Sequence, residues 1–418
     1  MVQSLQKIVF YLVLLLTAIN IGVFFCPSPY IYLADALNIG LLGLCVWHNK
    51  KLGALPGTVI QAWSILSVYT LVLVLNTENI VNLSSGLAAM RSMYPYMLFY
   101  FIALLIRKED IPRFINYLNI FCISGVVLAI IQSLRGLEPL FPYGSFYNTG
   151  HWAGQQMMIN AFMARVMLPT LYTILIMFLF SVTYLLVVRF KLKYVLLALA
   201  FLIAIFIGYA RSQWIATIIS VILIMALIFG YRQNRILMVL SVSALSVFTL
   251  VFLLSSIDLP VLSDLSQSLT ERVRELTFDI QNRDGNLGSR IRTVERSMQI
   301  FQRSPWFGVD YNFPAIYEMG ELTDVGFTYM LITTGIVGVT LFAYLFFIAL
   351  RSAWLMYKQS FRANDILGLL LSILVIGNII LFMITQSFNQ FYFVTATFAI
   401  SFGLYCNYFS REKKIEIS

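Results

Sequence analysis

The chain has 418 residues, 60% of them hydrophobic and 11% charged, with a formal net charge of +9. A soluble domain carries roughly a quarter charged residues, so this composition excludes an ordinary water-soluble enzyme. The four cysteines (Cys26, Cys45, Cys122 and Cys406) lie in or at the ends of apolar runs without CxxC spacing, and there are only two histidines, which excludes a typical zinc site and leaves buried free thiols.

Apolar runs recur along the chain, each about as long as the 18 residues needed to cross a hydrocarbon core. In lipid the backbone must satisfy its own hydrogen bonds, so such runs are helices. In chain order, spans are predicted at 8–25, 30–47, 58–75, 89–106, 114–134, 166–188, 194–210, 212–230, 236–256, 324–350, 366–384 and 391–409. A cleavable signal peptide is the alternative for the first run. That run is long, however, Cys26 to Pro29 reads as a tight turn, and a second run follows at once. The expected fold is an all-α polytopic membrane protein of about twelve transmembrane helices. Residues 1–256 hold the first nine, 257–323 form one large outward loop, and 324–418 hold the last three.

Basic residues orient the spans. Alternate connections carry Lys50 and Lys51, then Arg107, Lys108 and Arg113, then Arg189, Lys191 and Lys193, then Arg232 and Arg235, then Arg351, Lys358 and Arg362. Arg411, Lys413 and Lys414 follow in the tail. These share a side with Lys7, so both termini are expected to be cytoplasmic. All nine lysines then fall on the cytoplasmic side, and the eleven basic residues left over are all arginines. Guanidinium forks grip phosphate and carboxylate at two points, where lysine is a point charge. The split suits an outward face that handles a phosphate-bearing substrate, although topology pressure on lysine gives the same pattern.

Two outward segments are long. One runs from Arg135 to Arg165 and contains Tyr143, Tyr147, His151 and Trp152. The other, from Ile257 to Thr323, exceeds a plain connection and should hold two amphipathic helices on the membrane surface or on the bundle. Leu265, Leu269, Val273, Leu276 and Ile280 form the apolar stripe of the first. Ile291, Val294, Met298 and Phe301 form that of the second, which stops before Pro305. At about 100° per residue, Arg292, Arg296 and Arg303 point away from the second stripe, as a solvated face does. Arg290 stands at its edge, and Arg272 at the edge of the first. Arg211 follows Tyr209 in a hairpin between two spans, where a cation is costly unless it is paired, functional or snorkelling to the surface.

The stretch from Gly288 to Gly338 carries a pattern. Gly288, Ser289 and Arg290 open the second loop helix, and Ser304 to Asp310 reads Ser-Pro-Trp-Phe-Gly-Val-Asp. Asp324 heads a segment that reaches Gly335 and Gly338 in a G-x-x-G step. This pattern resembles the bacterial O-antigen polymerase and O-antigen ligase superfamily of membrane glycosyltransferases. Tyr209, Arg211 and Ser212 are similar to its Ser-Arg element. The topology agrees along the whole chain, while the motifs cover only about 60 residues.

The resemblance implies a site on the periplasmic face of the bacterial inner membrane. There a glycan would be transferred from a polyprenyl-pyrophosphate-linked oligosaccharide, with no metal, nucleotide sugar or other cofactor. Arginines would hold the pyrophosphate leaving group. Arg290, Arg211 and Asp324 are the candidate catalytic residues. Arg272, Arg292, Arg296, Asp310, Tyr209 and Trp306 are the candidate substrate-binding set. Membrane lipid and a chain-length regulator protein are the implied partners, and nucleic acid is not.

Ligases of the family carry a histidine where this chain has Asp324, and Asp310 replaces the second glycine of the turn. Those departures favour a polymerase of lipid-linked repeat units over a ligase to lipid A core. Asp324 could act as general base, hold a sugar hydroxyl, or simply cap a helix. Aromatic residues of the outward loops, Trp306 among them, suit stacking on sugar rings or an aromatic belt at the headgroups. A polysaccharide flippase or other transporter is the reading from another class, but the single very large loop breaks the pseudo-symmetry such proteins tend to show. A transferase using a polyprenyl monophosphate sugar usually has an acidic pair in the first outward loop, and Cys26 to Pro29 has no acid.

Overall fold

The computed structural model describes residues 2–20, 36, 39–40, 57–75, 103, 105–135, 170–208, 214, 216–228, 286–309, 326–385 and 392–410. All regular structure among them is helical. The predicted spans 8–25, 58–75, 114–134, 166–188 and 194–210 correspond to α1 (Val2–Asn20), α2 (Gly57–Val74), α3 (Ile111–Arg135), α4 (Leu171–Val187) and α5 (Leu192–Ile207). The span at 212–230 corresponds to α6 (Ala216–Ile228). The second loop helix is α7 (Asn286–Phe301), and the last three spans are α8 (Gly326–Ala363), α9 (Ile366–Thr385) and α10 (Tyr392–Ser410). The predicted spans at 30–47, 89–106 and 236–256, the first loop helix and the tail after Ser410 lie largely or wholly outside the described residues.

Two helical stretches, Lys108–Arg135 and Met330–Ala363, are long and apolar enough to cross a membrane. The shorter helices are apolar on both faces. On α5, Leu197, Phe201, Ala204 and Ile205 are buried, while Leu196, Leu199, Leu202 and Ile203 are exposed. A water-soluble helix would put polar residues on that second face. Apolar side chains there need hydrocarbon as their solvent.

Two compact units divide the chain, residues 1–117 with 285–418, and residues 118–284. In the first unit α8 is the hub: α2, α7 and α9 all pack on it, and α9 packs on α10. An aromatic ladder runs along α10. Phe398, Phe402, Tyr405 and Phe409 follow one another with ring centroids 5.0 to 5.9 Å apart. Phe346 of α8 joins it at Phe398. In the second unit α4 and α5 form an antiparallel hairpin, pinned by the Tyr184 and Tyr194 rings stacked 3.8 Å apart.

Two differences from the sequence reading concern α8. The predicted span ended at 350, yet the helix runs on to Ala363. Arg351 and Lys358 are exposed and leave it intact, and the helix stops only where Asn364 takes a φ of 54°. The second difference is a break inside the helix at Gly335, with φ 63° and ψ −170°.

Candidate functional site

The break at Gly335 interrupts the i→i+4 ladder and orphans backbone groups on both sides. In a dry environment each orphan must find another partner. The partners come from the turn that follows α7. Val309 N–H donates to the Ile332 carbonyl at 2.7 Å. Ile336 N–H donates to the Pro305 carbonyl at 3.0 Å, and Val337 N–H to the Trp306 carbonyl at 3.1 Å. The Tyr69 hydroxyl of α2 takes the Thr334 carbonyl at 2.5 Å and reaches the Phe307 carbonyl at 3.3 Å. Two irregular stretches of chain thus satisfy one another.

Glycine is required on both sides of this clasp. Gly308 has φ 78° and Gly335 φ 63°, in the left-handed region that side chains disfavour. A Cβ on Gly308 would stand 2.5 Å from the Thr333 carbonyl, and one on Gly335 would overlap the Trp306 carbonyl. The P-x-x-G turn and the G-x-x-G step read from the sequence are therefore the two halves of one structure. Gly338 completes the step for a different reason: a Cβ there would overlap the Thr334 side chain, with the Tyr69 ring next, 3.2 Å away.

The clasp fixes the exit of α7. That helix buries Ser297 and Ile300, leaves Val294 and Phe301 half-buried, and exposes Glu295, Arg296 and Gln299. Met298, assigned to the apolar stripe, is 40% exposed. The buried face is rotated away from Met298, and small Ser297 takes a buried position on it. Arg296 and Arg303 are exposed, as the sequence geometry predicts. Trp306 and Phe307 stand out from the clasp 62% and 59% exposed.

Arg290 and Arg292 lie on the α7 backbone, but their side chains are outside the described part. Tyr209, Arg211, Arg272, Asp310 and Asp324 lie outside the described residues altogether. The chain on either side of Tyr209 and Arg211 is described. Trp214 stacks on Phe206 at 5.3 Å, and its indole N–H donates to the Ile205 carbonyl at 3.1 Å, satisfying an acceptor in the last turn of α5. Trp214 is thereby held against the helix before it. Among the described residues no three potential metal-ligating side chains gather. Sequence reasoning missed Tyr69 and Trp214: both sit in or beside apolar spans, where an aromatic residue gives no sign of a distant carbonyl partner.

Residues 195–343 match the family model described as O-antigen ligase. Over this stretch the chain is similar to the O-antigen polymerase and ligase superfamily. The match runs from α5 into α8 and takes in the Arg211 hairpin, α7 and both halves of the clasp. The comparison with curated proteins finds no match. Together with the long apolar helices, the match supports a membrane protein.

Proposed function

We propose that the protein is a membrane glycosyltransferase that polymerises polyprenyl-pyrophosphate-linked oligosaccharide repeat units into O-antigen or a related surface polysaccharide. The family domain at residues 195–343 carries this reading, because it spans the arginine-bearing helix and the clasp. In the topology that the lysines favour, both face the periplasm and both termini are cytoplasmic.

Bond formation needs an acceptor hydroxyl to attack the anomeric carbon as the pyrophosphate departs. Negative charge grows on the leaving phosphate, and preorganised cations lower the barrier most when shielded from water. Arg290, at the edge of the apolar stripe read for α7, and Arg211 are assigned that task. Arg272, Arg292 and Arg296 hold outlying charge on the lipid-linked donor. Asp324 takes the acceptor proton as general base. Asp310, Tyr209 and Trp306 bind the glycan, Trp306 by offering its exposed ring as a stacking surface. Arginine supplies the charge neutralisation, so the reaction as proposed needs no metal or other cofactor, and a chain-length regulator protein would act from outside this chain.

The second reading is an O-antigen ligase, which the description of the matching family itself favours. Aspartate rather than histidine at position 324 is the observation on the polymerase side. Deleting the gene and running surface polysaccharide on a gel separates them. A lost ladder with one repeat unit retained supports the polymerase; loss of every attached unit supports the ligase.

A further inference from the structure

Tyr69 stands apart from every residue assigned a role above. It belongs to α2, far from the family domain in sequence, yet its side chain reaches into the clasp. A single O–H faces two carbonyls, one from each half: Thr334 on α8 at 2.5 Å and Phe307 on the turn at 3.3 Å. Thr334 would otherwise have an unsatisfied carbonyl at a helix break, where that cost is highest. The Tyr69 ring also passes 3.2 Å from where a Cβ on Gly338 would stand. The other bonds of the clasp are backbone to backbone and tolerate many sequences. Tyr69 is the side chain that ties both halves to a third helix.

We infer that Tyr69 is a positioning residue for glycan transfer: its hydroxyl locks the exit turn of α7 onto the break in α8, and so fixes the setting of the arginine-bearing helix. This rests on the reading of the site given above. Tyr69 touches no substrate; it acts through the turn. Loss of the hydroxyl alone leaves the ring in place and frees the turn to shift. Misplacing a leaving-group cation by about an ångström is enough to slow a reaction by up to about a hundredfold. Donor affinity, spread over several contacts along the glycan and lipid, would hardly change.

The test uses the full chain in lipid nanodiscs with the substitution Tyr69→Phe. Spin labels go on cysteines at the exposed positions Gln302 and Thr340, one on each side of the clasp. Polymer formation is measured in parallel from lipid-linked repeat units at equal protein amounts. Tyr69→Phe should broaden the label distance distribution and lower kcat about tenfold with KM unchanged. A narrow distribution with normal kcat in Tyr69→Phe overturns the inference. So does a broadened distribution with normal kcat, since the clasp would then be structural only. If the wild-type protein forms no polymer, the activity reading fails and the role in transfer falls with it, whatever the distances.

Discussion

The clasp at Gly335 and the turn between α8 and α9 solve one problem in opposite ways. Both are places where a helix stops and leaves backbone groups without partners. At the α8–α9 turn the solution is compact. Asn364 takes the left-handed conformation just past the helix, and Asp365 N–H closes back on the Ser360 carbonyl at 2.9 Å. Asp365 then caps α9, its carboxylate accepting from Gly368 N–H at 3.1 Å and from the Tyr408 hydroxyl at 2.8 Å. Lys108 covers the Tyr408 ring, and the neighbouring Asn407 donates to the Ala103 and Ile106 carbonyls. Asp365, Asn407 and Tyr408 are spent inward there. At the clasp the backbone closes on itself, two glycines and one tyrosine suffice, and Arg303, Trp306 and Phe307 are left facing out. The first arrangement only holds helices together. The second holds them together and presents side chains as well.

Breaking the clasp outright should have the largest effect. Gly335→Ala combines an unfavourable φ with overlap on the Trp306 carbonyl, so a cost of about 1 to 3 kcal/mol from backbone strain alone is a lower bound. The protein should accumulate poorly and lose its melting transition in detergent. A variant with normal abundance and thermal stability would show that the break is not needed for the fold.

Arg290 sharpens the comparison on the functional side. Arg290→Ala should abolish long chains at matched membrane abundance. Arg290→Lys should fail too, because it keeps charge and loses the fork. Arg296→Ala should be milder, since an exposed cation is screened. If Arg290→Ala polymerises normally while Arg296→Ala does not, the assignment of helix faces on α7 is wrong.

The α8–α9 region provides the contrast. Asn407→Ala should cost about 1 to 3 kcal/mol of stability by leaving two buried carbonyls unpaired, read as a lower melting temperature. Polymer length should match wild type once abundance is matched. A shortened ladder at equal abundance would mean that this region also shapes the site. The smallest effect on stability belongs to Trp306→Ala, which removes an exposed ring. It should leave melting unchanged within about 0.5 kcal/mol and raise KM for the lipid-linked glycan. An unchanged KM would leave the aromatic-belt reading for Trp306.

Much of this architecture was legible in the sequence. Apolar runs located α1 to α6, α9 and α10 to within several residues and found the start of α8, though not its end, because a helix that crosses lipid has no freedom to be anything else. Amphipathic spacing found α7, and Pro305 marked its end. The P-x-x-G and G-x-x-G motifs were visible as glycine patterns, but not as partners: their pairing depends on backbone groups, which no side-chain pattern records. Periodicity gave the stripe of α7 with an error, because it ranks residues by hydropathy, whereas the fold buries small Ser297 rather than larger Met298. Asn364 passed unnoticed as a helix stop, since asparagine is common in positions that do not turn left-handed.

The most direct test of the proposed activity is reconstitution of the purified protein in proteoliposomes with polyprenyl-pyrophosphate-linked repeat units, in EDTA and without lipid A core. The polymerase reading predicts products of increasing repeat number, with no gain on adding magnesium or manganese. Absence of any polymer until lipid A core is supplied, followed by transfer of single units to it, would contradict that reading and assign the protein to the ligases.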